Sequence, residues 1–167
     1  RSGTYVADYR RKGTLDTLMS IMKYNGGRIR NEEIRSIFEV RIALDTLAAQ
    51  LCIDRISDEE VQVLLEIIEQ IRDAKDNQEA IQAAFEFQHE FALASQNTLL
   101  PLIFQSFRAP IFTMWERYCD LYGIQSLYES NYAMWTYIRN RDTKGAIEWI
   151  NYSLGECISG SRQIYYE

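Results

Sequence analysis

A single histidine, His89, in a chain of 167 residues leaves little room for the common enzyme chemistries. No Ser-His-Asp or Cys-His set stands out to activate a nucleophile. No glycine-rich loop cradles a phosphate, and no metal-ligand spacing repeats. The chain is therefore read as a non-enzyme. Apolar runs are also short: none approaches the ~20 residues that cross a bilayer. With no secretory leader visible, a cytoplasmic protein without a membrane partner is expected. Cysteine is sparse. Cys52, Cys119 and Cys157 are odd in number, widely spaced and set in apolar stretches, which points to buried free thiols in a reducing compartment rather than a disulfide frame. Positive charge is in deficit, with 18 Lys and Arg against 24 Asp and Glu, and a net charge of −6 would repel a DNA backbone. Only two prolines, Pro101 and Pro110, interrupt a composition that is 47% hydrophobic, so the chain can bury one ordinary core.

What is present is helical periodicity. Tyr9 to Gly13 forms a basic connector with Arg10, Arg11 and Lys12 adjacent, and Thr14 can cap a short helix from Leu15 to Tyr24. Asn31 is placed to cap a helix reaching about Ile53, and Ser57-Asp58-Glu59-Glu60 has the form of a capping box for a third, to about Lys75. Asn77 opens a fourth, ending near Asn97. A fifth runs from Leu99 to Tyr122, with Pro101 in its first turn and a kink expected at Pro110. Gly123 breaks the chain; Ser126 to Asn140 and Thr143 to Ser159 complete the set. No strand alternation or internal repeat competes with this reading. The expected fold is all-α, an antiparallel bundle of about seven helices with a central ligand cavity.

Polar side chains on the apolar stripes mark where function should lie, because burying one unpaired costs on the order of 1–3 kcal/mol. On the second helix Arg41 falls on the stripe with Asp45 one turn later. His89 falls on the fourth, Arg108 with Trp115, Tyr118 and Tyr122 on the fifth, Asn131 before Trp135 on the sixth, and Ser153 after Trp149 on the seventh. Inward polar groups from five helices suit a ligand chamber. They suit separate satisfied pairs as well: Arg41 with Asp45 is a fitting internal ion pair, Arg108 can lead its stem over apolar surface to water, and a lone inward histidine is commonly a hydrogen-bonded core residue. The aromatics Trp115, Tyr118, Tyr122, Tyr128, Tyr132, Trp135 and Trp149 either line a cavity or fill the core.

Three stretches in order resemble one family. Phe85-Glu86-Phe87-Gln88-His89, followed by Ser95-Gln96-Asn97-Thr98-Leu99-Leu100, resembles the fourth-helix wording Asp-x-x-Phe-His and Ser-Gly-Asn-Pro-Leu-Leu of the FCD effector domain in GntR-type bacterial transcription regulators, FadR subfamily. Ile37 to Ala49, with Glu39, Arg41 and Asp45, resembles the opening helix of that domain, and Ile138 to Ala146 resembles its late turn Ile-x-x-x-Asp-x-x-x-Ala. Arg1 to Asp8 is similar to the last wing strand of the winged helix that precedes the domain in such regulators. The resemblance implies four segments: a wing remnant at 1–8, a linker and leading helix at 9–30, the effector-binding and dimerisation domain at 31–160, and a tail at 161–167. DNA contact would come only through a winged helix missing from this chain, with phosphate contact by the basic connector left open.

Many members hold a divalent metal with an aspartate and a histidine four residues apart on the fourth helix and one histidine on each of the last two. The resemblance puts these positions at Phe85, His89, Asn131 and Ser153, leaving one imidazole, too weak a set for zinc or a similar ion. No cofactor or metal is expected. The chain is read as an effector-sensing, homodimerising domain that binds a small anionic or acyl molecule, fatty acyl-CoA included. Arg41, His89, Arg108, Tyr118, Asn131, Trp135 and Ser153 are the expected effector-binding residues. The alternatives are a helical interaction module without a small ligand, or a metal-dependent carboxylate sensor.

Overall fold

The computed structural model describes residues 9–167, so the wing remnant expected at 1–8 lies outside the described residues. The helices are α1 (Tyr9–Lys12), α2 (Leu15–Tyr24), α3 (Asn31–Arg55), α4 (Asp58–Asp73), α5 (Asn77–Ala94), α6 (Leu100–Ser106), α7 (Arg108–Arg139) and α8 (Thr143–Ser159). Among the described residues there is no strand. The all-α expectation holds. The long α7 bends at Gly123, whose φ of 79° and ψ of 160° a glycine adopts without Cβ strain, so the break expected there is a sharp corner between two arms. In the bundle α4 lies against α5 and α7, α3 against α8, and α5 against α7.

Local chemistry sets most of the boundaries. Ser57 and Glu60 form the reciprocal capping box, Ser57 Oγ accepting from Glu60 N at 3.1 Å and Glu60 Oε2 accepting from Ser57 N at 2.7 Å. Two caps differ from expectation by one residue. Asp76 caps α5 through Glu79 N at 2.9 Å, which frees Asn77 to donate to Asp120 Oδ1. Arg30 is the N-cap of α3, and Asn31 spends its side chain on the backbone of Tyr166 in the tail. The expected fifth helix is divided at Phe107 rather than kinked at Pro110. A proline ring clashes with the carbonyl four residues back, at Ser106, so the old helix ends there and Pro110 sits in the first turn of the new one.

The Ser95-Gln96-Asn97 stretch ends α5 at Ala94 and starts α6. Gln96 takes φ 56°, the left-handed conformation for which the usual glycine of that motif is suited. Asn97 Oδ1 accepts from Leu99 N at 2.9 Å and Leu100 N at 3.1 Å. In the late turn Arg141 donates to the carbonyls of Ile53 at 3.1 Å and Ile56 at 2.6 Å, placing a cation at the carbonyl end of α3. Asp142 caps α8 through Gly145 N at 2.9 Å. A side chain at Gly145 would meet the Tyr137 ring at 2.6 Å, so the helix start is packed too closely for anything larger.

The main core joins α3, α4, α5, the second arm of α7 and α8. Ala48, Ala49 and Ala92 are fully buried and let the helices approach closely, with Cys52, Ile68, Ile138 and Ile150 filling the space between. Trp135 belongs here: its ring is buried and its Nε1 donates to Val61 O at 2.9 Å.

Candidate functional site

Beside this dry core lies a cavity of about 360 Å³ between α3, α5, both arms of α7 and α8. Its polar floor is a triad from two helices. Arg41 Nη2 donates to Asp45 Oδ2 at 3.1 Å and to Gln88 Oε1 at 3.0 Å, and Gln88 Nε2 donates to Asp45 Oδ1 at 2.7 Å. All three side chains are buried. The triad closes on itself but does not exhaust the arginine: Nε is buried without a hydrogen-bond partner. The guanidinium carbon stands 5.3 Å from the centre of the Trp115 ring. Burial lifts the Asp45 carboxyl above the usual carboxylate range, while the charge of Arg41 and bonds from Arg41 and Gln88 pull it back.

The walls are aromatic and apolar, from Phe38, Phe87, Trp115, Tyr118, Met134 and Trp149. Burial pushes the Tyr118 phenol up to about 12, so it faces the cavity as a neutral hydroxyl. Asn131 and Ser153 also line the space. Both point a donor at their own helix, Asn131 Nδ2 to Leu127 O at 2.8 Å and Ser153 Oγ to Ile150 O at 3.5 Å, which leaves amide and hydroxyl oxygens as acceptors. Cys157 lines it too; burial raises this thiol to about 11, with Arg41 and Arg162 drawing it down.

Of the residues singled out in the sequence, the cavity brings together Arg41, Tyr118, Asn131 and Ser153, and places three elsewhere. Trp135 is in the core. Arg108 donates to Gln82 Oε1 at 2.6 Å and lies 4.2 Å over the Phe112 ring, on the far side of α5. His89 is half-buried on that side, stacked on Phe85 with ring centres 6.3 Å apart. The buried stripe of α5 runs Ile81, Ala84, Gln88, Phe91 and Ser95, and one residue further along a helix turns a side chain about 100° away. Gln88 therefore takes the inward place expected of His89. The motif wording carries the same signal, since Phe87 then stands where Phe precedes the histidine.

Sequence reasoning also left out Ser161, Arg162 and Ile164 of the tail, which line the cavity although the helices end at Ser159. Nothing in a seven-residue tail with no periodicity marks it as part of a site.

The FCD domain family matches residues 36–155. The chain belongs to that family. No curated protein matches the chain. The fold is that of Streptococcus agalactiae GntR, with a TM-score of 0.65 and 18% identity over 94% of this chain and 70% of that one. The FCD domain is the regulatory, effector-binding part of GntR-type transcription regulators, and this chain is a domain of that class. No helix among the described residues is long and apolar enough to cross a membrane.

With Gln88 in the inward place, the metal positions of the FCD family fall on Ala84, Gln88, Asn131 and Ser153, which offer a methyl, two amides and a hydroxyl. A divalent ion that prefers imidazole, carboxylate or thiolate donors finds none of them in that set, and the Asp45 carboxylate is already engaged by Arg41 and Gln88. The residues do not fit a metal.

Proposed function

We propose that this FCD domain is the sensing and dimerising half of a transcription regulator whose cavity takes a small organic anion without a metal. The observation that carries the reading is Arg41: a buried cation, held in place by Asp45 and Gln88, that lines an aromatic-walled cavity. A guanidinium fixed by two neighbours loses little freedom on binding a carboxylate or phosphate. Asn131 and Ser153 supply acceptors for ligand hydroxyls, and Trp115 and Trp149 an apolar surface for the ligand body. A volume of about 360 Å³ is at the small end of ligand pockets, which favours a compact acid over a fatty acyl-CoA.

Effector binding would bias the packing of helices around the cavity and, through the segment 9–30, the spacing of two winged helices on operator half-sites. Such readers work in pairs, so the domain is expected to dimerise and sediment at twice 19.6 kDa.

A thermal-shift screen of small carboxylates and phosphate esters, run with and without EDTA, tests the proposal. A ligand at a hundred times its Kd adds roughly 2.7 kcal/mol to the folded state, several degrees in a domain of this size. A hit that survives EDTA and disappears in Arg41→Met supports the reading. A hit that needs a divalent ion would restore the metal-dependent sensor, and no hit across the panel would favour an interaction module whose triad only specifies packing.

A further inference from the structure

The segment 160–167 does more than follow α8. Its residues Ser161, Arg162 and Ile164 form part of the cavity wall, and it is fastened at several points. Asn31, the first residue of α3, grips it with two bonds: Nδ2 donates to Tyr166 O and Tyr166 N donates to Oδ1, both at 2.8 Å. Tyr122 Oη, at the corner of α7, donates to Gln163 O at 2.6 Å, and Arg162 reaches Ser126 Oγ at 3.3 Å. Between these ties Ile164 is 1% exposed.

Ile164 belongs to a core that reaches both sides. It shares a small core with Cys157 and Met114 next to the cavity, and with Met22 of α2 and Ile29 of the α2–α3 connector. Tyr166 receives Arg28 of that connector and Arg117 of α7 over its ring, at 5.5 and 4.9 Å. The polar ties at Asn31, Tyr122 and Ser126 lie on exposed surface, where hydrogen bonds open most readily, while the fully buried anchor, Ile164, belongs to the core shared by the cavity wall and the connector.

We propose that residues 160–167 are a strap that closes the effector cavity and transmits its occupancy to the connector between α2 and α3. This rests on the cavity being an effector site. Opening the strap removes Arg162 and Ile164 from the wall and Ile164 from Met22 and Ile29 in one movement, so a ligand that favours the closed strap also orders the connector.

Closure can be tested without any ligand, because Cys157 is the one cysteine lining the cavity, whereas Cys52 and Cys119 are buried elsewhere. The rate of alkylation at each thiol by iodoacetamide is measured by peptide mass spectrometry in wild type, Asn31→Ala and Tyr122→Phe. Loss of two exposed strap bonds in Asn31→Ala should speed labelling of Cys157 on the order of tenfold, and Tyr122→Phe by a few-fold, with Cys52 and Cys119 unchanged. Equal acceleration at all three thiols, or none at Cys157, would overturn the strap.

Transmission is read by hydrogen exchange at residues 25–30 with the anionic aromatic probe 1-anilinonaphthalene-8-sulfonate. In wild type the probe should slow exchange there, and in Asn31→Ala it should still quench cavity tryptophans while losing that distant effect. Probe binding that leaves 25–30 unchanged in wild type would also overturn the proposal. Failure of the probe to quench tryptophan at all would count against the effector site, and the alkylation rates would still decide closure.

Discussion

Two neighbouring regions of this bundle are built on opposite rules. Around Ala48, Ile68, Ala92 and Ile138 apolar side chains pack together with small residues among them, and the one polar group of Trp135 is spent on a backbone carbonyl. A turn or two away, the same helices α3 and α5 turn Arg41, Asp45 and Gln88 inward and leave a space beside them. Dense packing stabilises; an enclosed ion pair with a cavity at its side does so weakly, because desolvation of the charges offsets their attraction. The apolar region is thus explained by stability and the polar one, on the proposed function, by binding, and substitutions should separate the two.

The largest effect is expected from breaking the triad on one side only. Asp45→Ala leaves Arg41 and Gln88 without their shared acceptor and should cost about 3–5 kcal/mol in chemical denaturation. Ile138→Ala, in the dry region, should cost roughly 2–5 kcal/mol through lost transfer energy and a cavity. Ligand response distinguishes the two losses: the Ile138 variant should retain it at low temperature, and the Asp45 variant should not. A smaller loss, about 1 kcal/mol, is expected of Trp135→Phe, which removes the side-chain bond to the Val61 carbonyl and leaves the cavity untouched.

The least conspicuous effect concerns the thiols, which span both regions. Burial raises Cys52 to about 12 and Cys119 and Cys157 to about 11, against an ordinary 9.0. A folded-state pKa above the unfolded one stabilises the protein fully below pH 9, and that contribution is lost as pH rises towards 11 and 12. The unfolding midpoint should therefore fall through this alkaline window, and less steeply in Cys52→Ala, compared with its own neutral value. At pH 8 all three thiols of the native protein should react slowly with a thiol reagent and rapidly after denaturation.

Much of the fold was legible because it is written locally. Ser57 with Glu60, Pro101, Gly123 and the apolar periodicity each act within a few residues, and most helices appeared where those signals placed them, the stretch divided at Phe107 excepted. The family motifs were legible for the same reason: Asn97 and Asp142 act on backbone groups two or three positions away. The cavity was legible only in part. Arg41 and Asp45 share one helix face, so their pairing follows from spacing, but which of Gln88 and His89 faces inward depends on a rotation of α5 fixed by packing against α4 and α7. The attraction of the lone histidine as a functional residue hid the glutamine beside it. Arg162 and Ile164 were invisible because a strap held by Asn31, from the other end of the sequence, has no periodic signature.

The central claim is that the inward polar group exists to bind an anion rather than to hold the fold. Isothermal titration of the best carboxylate from the thermal screen into wild type and into Arg41→Met/Asp45→Leu/Gln88→Met tests it directly. Replacing a whole buried charged set by apolar side chains of similar size is commonly neutral or stabilising. The account predicts a triple variant as stable as wild type or more so, with one-site binding in wild type and at least about a hundredfold weaker binding in the variant. Unchanged affinity in a folded triple variant would contradict it.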